Sequence, residues 1–190
     1  LALEPDNVDY QLEVVYSQSN LGVLSLTRGA LSDAAERFGR AVELNRVLVA
    51  KQPQDDVLRE SLAGGLSWPG AVADRSGNPT EGVGRYKEQL AMLEELMVGR
   101  SDARLTRERN IALQLIAFQL YLMGDWDSAA VYARESVTEF EALVNSDPSN
   151  KDWLNLLHSA ESLLGRILLV SDQSAALGLL TRAVDGTTAL

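Results

Sequence analysis

The stretch PDNVDYQLEVVYSQSNLGVLSLTRGALSDAAERFGRAVELNRVLVAKQ, residues 5–52, decides the fold. It opens with a helix-start signal, Pro5-Asp6-Asn7, where Asp6 or Asn7 can accept backbone N–H bonds. The spacing predicts a first helix from about Asn7 to Arg28, with Leu12, Val15, Tyr16, Leu21 and Leu24 supplying much of an apolar stripe. Gly29 stands where a helix stops, since glycine accepts left-handed dihedrals without a Cβ clash. A second helix is expected from about Ser32, read as its N-cap, to Lys51, with Ala35, Phe38, Val42 and Leu48 on its buried side. Two antiparallel helices on a short turn pack about 8–10 Å apart. Small residues, Gly22 and Ala34, therefore stand near the crossing, and Phe38 is expected to fill space against the next unit.

The rest of the chain repeats this unit. A shift of 48 places Pro5 on Pro53, Gly22 on Gly70, Gly29 on Gly77, Phe38 on Tyr86 and Leu48 on Leu96. A shift of 47 then takes Gly77 to Gly124. Pro148-Ser149-Asn150 restarts the pattern, Gly165 takes the place of Gly22, and Arg182-Ala183-Val184 repeats Arg40-Ala41-Val42. The repeats run over about 5–52, 53–100, 101–147 and 148–190, read as a single domain over 1–190. The further helices are expected at about Val57–Arg75, Pro79–Val98, Asp102–Met123, Trp126–Asn145, Asn150–Val170 and Gln173–Thr187. In the second unit Pro69 lies at the position of Leu21. Inside a helix a proline removes one hydrogen bond and clashes with the preceding turn, so a kink is expected near Ser67. No unit can bury its apolar faces alone, so the units are expected to stack.

Composition narrows the functional classes. The chain has 190 residues, no cysteine and one histidine, and its formal charge is −10. An acidic surface repels phosphate, which argues against nucleic acid or an anionic membrane as partner. No apolar run reaches the length of a membrane span. The absence of cysteine excludes disulfides and thiolate chemistry, and leaves the compartment open between cytoplasm and periplasm. Leu1-Ala2-Leu3-Glu4-Pro5 resembles Leu48-Val49-Ala50-Lys51-Gln52-Pro53, the end of a unit, and the chain stops partway through a helix. It reads as a piece of a longer protein, and its cut ends leave self-association open.

Leu21-Gly22, Gly29, Ala34, Phe38 and Ala41 stand at the spacing of the tetratricopeptide repeat (TPR), which this chain resembles. Ile116-Ala117, Gly124 and Ala129 match in the third unit, and Leu164-Gly165 in the fourth. The second matches through Gly70, Gly77 and Tyr86 and departs at Pro69 and Gly82. The usual period is about 34, so these helices look about two turns longer. The Asp-Pro-x-Asn start and Leu-Gly centre resemble a long-helix subtype associated with bacterial multidomain signalling proteins. The resemblance implies an all-α solenoid of four helix–turn–helix repeats in a right-handed superhelix. It also implies a groove that docks a protein or peptide segment. The alternative is a ligand- or peptide-sensing regulatory domain acting on an attached output domain.

Enzyme constellations are nearly absent. His158 sits mid-helix beside Leu156 and Leu157, and no nucleophile elbow, phosphate loop or paired acidic site accompanies it. No catalytic role, cofactor or metal is expected. Carried over by register, the resemblance places Tyr16, Ser19, Val23 and Leu26 of the first unit on the concave face. Gly64, Ser67, Ala71 and Asp74 follow from the second, then Ile111, Gln114, Phe118 and Tyr121 from the third. Ser159, Ser162, Arg166 and Leu169 come from the fourth. The set is apolar and neutral apart from Asp74 and Arg166, so an apolar or aromatic-bearing segment is the expected ligand.

Overall fold

The computed structural model describes residues 7–100 and 102–188. Leu1–Pro5, read above as the end of a preceding unit, and the alternative cap Asp6 lie outside them. Among the described residues all regular structure is helical: α1 (Val8–Thr27), α2 (Leu31–Lys51), α3 (Asp56–Arg75), α4 (Pro79–Met97), α5 (Ala103–Leu122), α6 (Trp126–Ser146), α7 (Lys151–Leu168) and α8 (Gln173–Thr188). The chain divides into two compact units, Leu1–Val98 and Gly99–Leu190, each holding two helix–turn–helix repeats.

Each helix pair is punctuated by local chemistry. The side chains of Asn7, Asp55, Asn78, Asp102, Asp125 and Asn150 accept first-turn backbone N–H bonds. The turns after α1, α3 and α5 place glycine in the left-handed region, with φ of 76° at Gly29, 73° at Gly77 and 81° at Gly124. In each the residue after glycine donates its N–H five positions back: Ala30 to Ser25, Asn78 to Ala73 and Asp125 to Leu120. This double closure satisfies helix-end carbonyls that would otherwise lack partners. One expectation fails here. α2 begins at Leu31 behind Ala30, and neither Ala30 nor Ser32 caps it with a side chain. Asp33 instead accepts from the Ser25 hydroxyl, tying the first turn of α2 to the end of α1.

In the N-terminal unit α2 packs on both α1 and α3. Val15, Ala41, Leu48 and Leu58 form one cluster, Leu26, Ala34, Phe38 and Val72 a second, and Val42, Leu62 and Leu66 a third. The Phe38 ring stacks on Trp68 of α3, with centroids 5.2 Å apart and planes 5° from parallel. Phe38 thus fills the space against the next repeat, as its register implied. Asn45 Nδ2 donates to Ser61 Oγ at 2.9 Å, and Arg75 Nη1 reaches back to the Leu26 carbonyl at 2.9 Å, where α1 ends. That cation meets the negative end of the α1 dipole. Four of the expected core positions lie elsewhere. Tyr16, Leu21, Leu24 and Ala35 are exposed, and Gly22, Ser25, Leu26 and Ala34 are buried. α3 runs unbroken through Pro69, and the Ser67 hydroxyl donates to the Gly64 carbonyl at 2.9 Å just ahead of it.

In the C-terminal unit α6 packs on α5 and α7, and α8 closes on α7. Arg109 of α5 pairs with Glu135 and Glu139 of α6. Glu161 of α7 is a buried carboxylate, held by Arg182 Nε at 2.8 Å and His158 Nδ1 at 3.1 Å. The repeat register puts Gln18, Leu66 and Leu113 at that position. A buried acid needs such partners, because isolated it would carry a large desolvation cost.

Candidate functional site

The C-terminal unit contains a cleft of about 710 Å³ formed by α5, α7 and α8. That volume lies within the ordinary range of small-ligand and side-chain pockets, about 300–1,000 Å³. α5 contributes Ile111, Gln114, Leu115 and Phe118 to the wall. These are spaced three and four apart, so they share one helical face. α7 contributes Ser159, Ser162 and Arg166 at the same spacing, with His158 and Leu163 flanking them. Leu180, Ala183 and Val184 of α8 complete the lining.

Most expected groove residues of the third and fourth repeats therefore come together. Ile111, Gln114, Phe118, Ser159, Ser162 and Arg166 share the cleft. Tyr121 stands at its edge with the Arg166 guanidinium 5.3 Å from its ring centroid. Stacking of this kind holds the cation over the aromatic face by its quadrupole. Ser159 Oγ donates to Gln114 Oε1 at 3.4 Å across α5 and α7. The Gln114 amide nitrogen is shielded from solvent and has no hydrogen-bond partner among the described residues.

The first two repeats behave differently. Tyr16 is exposed on α1, Ser19 is half-buried, and Val23 packs beside Leu26 and Phe38. Leu26 itself is core. Ser67 spends its hydroxyl on a backbone carbonyl. Asp74 accepts from the Tyr86 hydroxyl at 2.5 Å. Burial raises the Asp74 carboxyl above the ordinary range, against the lowering effect of that bond, and both burial and Asp74 raise the Tyr86 phenol. A smaller cleft, about 360 Å³, opens on the α2–α3–α4 side between Ala35, Gly39, Pro69 and Ala73. Its rim is a chain of ion pairs, Glu43–Arg46–Glu88–Arg85–Glu81, in which each charge meets an opposite one.

The α8 residues and His158 were not among the expected site residues. Leu180 and Ala183 sit where the core residues Phe38 and Ala41 sit in the first repeat, so the register marked them for packing rather than for the cleft. His158 is both a Glu161 partner and a wall of the cleft. Among the described residues no cluster of three or more histidine, aspartate or glutamate side chains could hold a metal ion. Nor is any helix there long and apolar enough to cross a membrane.

No protein-family model matches the chain. No curated protein matches it by sequence. Solved structures do match. BtubC (BKLC) from P. vanneervenii aligns over 100% of this chain and 75% of its own, with a TM-score of 0.60 and 20% identity. A Podosopora anserina protein with nearly identical TPR-like repeats of kinesin light chain type aligns over 94% of this chain and 96% of its own, with a TM-score of 0.51 and 12% identity. At these identities the likeness is one of fold, and with the four-fold register, the left-handed turn glycines and the paired helices it leads to one conclusion: the chain folds as TPR-like helical repeats.

Proposed function

We infer that the chain is a protein-interaction scaffold whose C-terminal cleft docks a segment of another protein. One observation carries the reading: Ile111, Gln114, Phe118, Ser159, Ser162 and Arg166, carried over from the concave-face register, line a single cleft rather than the helix–helix core. Its walls are apolar, with Ile111, Leu115, Phe118 and Leu163, and its polar groups are mainly hydrogen-bond donors or hydroxyls, Arg166, Gln114, Ser159 and Ser162. An apolar or aromatic side chain entering it gains about 25 cal/mol per Å² of buried area. Backbone carbonyls beside that anchor meet the donors on the rim. A stacked Arg166 and a helix-borne wall are already ordered, which lowers the cost of association on this side. Following the long-helix resemblance, the setting is a multidomain signalling protein, with the segment supplied in cis or in trans.

The test is selection from a displayed random peptide library against the whole chain, repeated with a Gln114→Glu, Phe118→Ala, Arg166→Glu variant. Peptides sharing an apolar anchor, enriched on the wild type and lost on the variant, are expected. Enrichment unchanged by the variant would move the binding surface elsewhere. No enrichment at all would overturn the docking reading and turn the search to small ligands, as a regulatory sensor requires.

A further inference from the structure

The two clefts treat charge differently. Around the α2–α3–α4 cleft the arginines meet carboxylates: Arg46 pairs with Glu43 and Glu88, and Arg85 with Glu81 and Glu88. The α5–α7–α8 cleft is lined by one arginine, Arg166, and by no aspartate or glutamate. Arg166 is exposed, lies over the Tyr121 ring, and has no carboxylate partner among the described residues. An aromatic ring attracts a cation through its quadrupole and carries no net charge, so the charge of the guanidinium stays uncompensated. Glu161, next to Ser162 in the chain, is buried, and Arg182 and His158 compensate it. The cleft thus offers an apolar wall and, at its edge, one positive charge without an acid to match it.

We propose that the segment docked in this cleft carries an aspartate or glutamate close to its apolar anchor, and that Arg166 selects for it. The proposal rests on the docking reading and adds the charge of the ligand. The spacing follows from the helix. Tyr121, beneath the guanidinium, stands three residues beyond Phe118, about 4.5 Å along α5. An extended segment rises about 3.3 Å per residue, so the acid stands about one to three residues from a side chain seated on Phe118. Guanidinium and carboxylate are planar and pair through two parallel hydrogen bonds, a match that a neutral side chain does not reproduce. The chain's charge of −10 opposes an acidic ligand at long range. At about 0.15 M salt that repulsion is screened beyond about 8 Å, which leaves the contact with Arg166 to decide.

The experiment is parallel selection of one displayed random peptide library, at about 0.15 M salt, on the whole chain and on its Arg166→Glu and Phe118→Ala variants. Sequencing of each pool reads which residues flank the shared apolar anchor. The wild-type pool is expected to be enriched in aspartate and glutamate within about three residues of that anchor. On Arg166→Glu the anchor is expected to persist while lysine and arginine replace the acids, an exchange that mere damage to the fold would not produce. On Phe118→Ala the anchor itself is expected to be lost. One selected peptide is then synthesised with its acid and with the corresponding amide, and each is titrated against the wild type and Arg166→Gln. Either change alone is expected to weaken binding about fivefold, the scale of an exposed ion pair, and both together by no more than one. A wild-type pool that shares an anchor but shows no preference for acids overturns the proposal and leaves the docking reading standing. Acids that persist unchanged on Arg166→Glu, or costs in the titration that simply add, overturn the role of Arg166. A wild-type pool without any shared anchor overturns the docking reading and this proposal with it.

Discussion

At the scale of single residues, the repeat is tuned by how little room its crossing leaves. A Cβ added at Gly22 would lie 2.7 Å from the Phe38 ring, and one at Gly70 would lie 2.6 Å from the Tyr86 ring. The third repeat solves the same problem the other way: Ala117 replaces the glycine, and the register puts Ala133, also buried, in the place of the ring. Gly70→Ala is therefore expected to destabilise by about 1–3 kcal/mol through overpacking. In a Tyr86→Ala background the same change should be neutral or stabilising, since alanine is the better helix former by about 1 kcal/mol. Thermal unfolding of the four members of that cycle checks it, and equal costs in both backgrounds would refute the steric account. The neighbouring Asp74 makes a second prediction. Its folded-state pKa is raised, first by burial, so the ionised form weakens the fold at neutral pH. Asp74→Asn keeps an acceptor for Tyr86 and removes the charge. A higher Tm is expected at pH 7, with the gain shrinking as pH falls through the folded-state value and vanishing below the ordinary 3.8. A gain that persists at low pH would assign the effect to packing instead.

At the scale of helices, the sequence announced the elements well because their boundaries are set by local chemistry. Caps such as Asn7 and Asp55 and turn glycines such as Gly77 act within a few residues, so a reading along the chain finds them. It finds less well what a distant helix decides. Leu21 and Leu24 have the periodicity of a core stripe, yet their cover would have to come from outside α1 and α2, and they are exposed. Ser32 looked like a cap, yet the Ser25–Asp33 bond made across the turn organises that end. The cleft was half legible: register found Gln114 and Arg166, while Leu180 and Ala183 joined it only because α8 folds beside α7. Pro69 belongs to this scale too. It sits inside a continuous α3, where the missing N–H leaves the Gly65 carbonyl without its usual helical donor. Two glycines just upstream meet little: a Cβ at Gly64 would touch nothing within 4 Å and one at Gly65 only a Val42 methyl at 3.9 Å. Pro69→Leu, which restores the residue of Leu21 and Leu164, is expected to raise stability by about 1–3 kcal/mol. Urea unfolding measures it; a loss of stability would mean that the α2–α3–α4 cleft is adapted to the proline ring.

At the scale of the whole molecule, two electrostatic effects oppose each other, and their magnitudes decide the outcome. The ion pairs are numerous, but several are three or four residues apart on helix surfaces, as in Arg40–Glu36 and Arg85–Glu81. Pairs of that kind contribute about 0–1 kcal/mol each and weaken as salt is added. Against them stands a net charge of −10, whose self-repulsion extends over the whole chain at low salt, where the Debye length is about 30 Å. At about 0.15 M salt that length falls to about 8 Å, which removes the long-range repulsion and leaves the contact pairs partly intact. The Tm is therefore expected to rise between about 0.01 M and 0.15 M sodium chloride, by a few degrees for each kcal/mol of repulsion relieved. The measurement uses the chain at micromolar concentration. A fall in Tm over that range would show that the local pairs outweigh the net charge, and would place the fold's electrostatic stability in individual contacts such as Arg109 with Glu135 and Glu139.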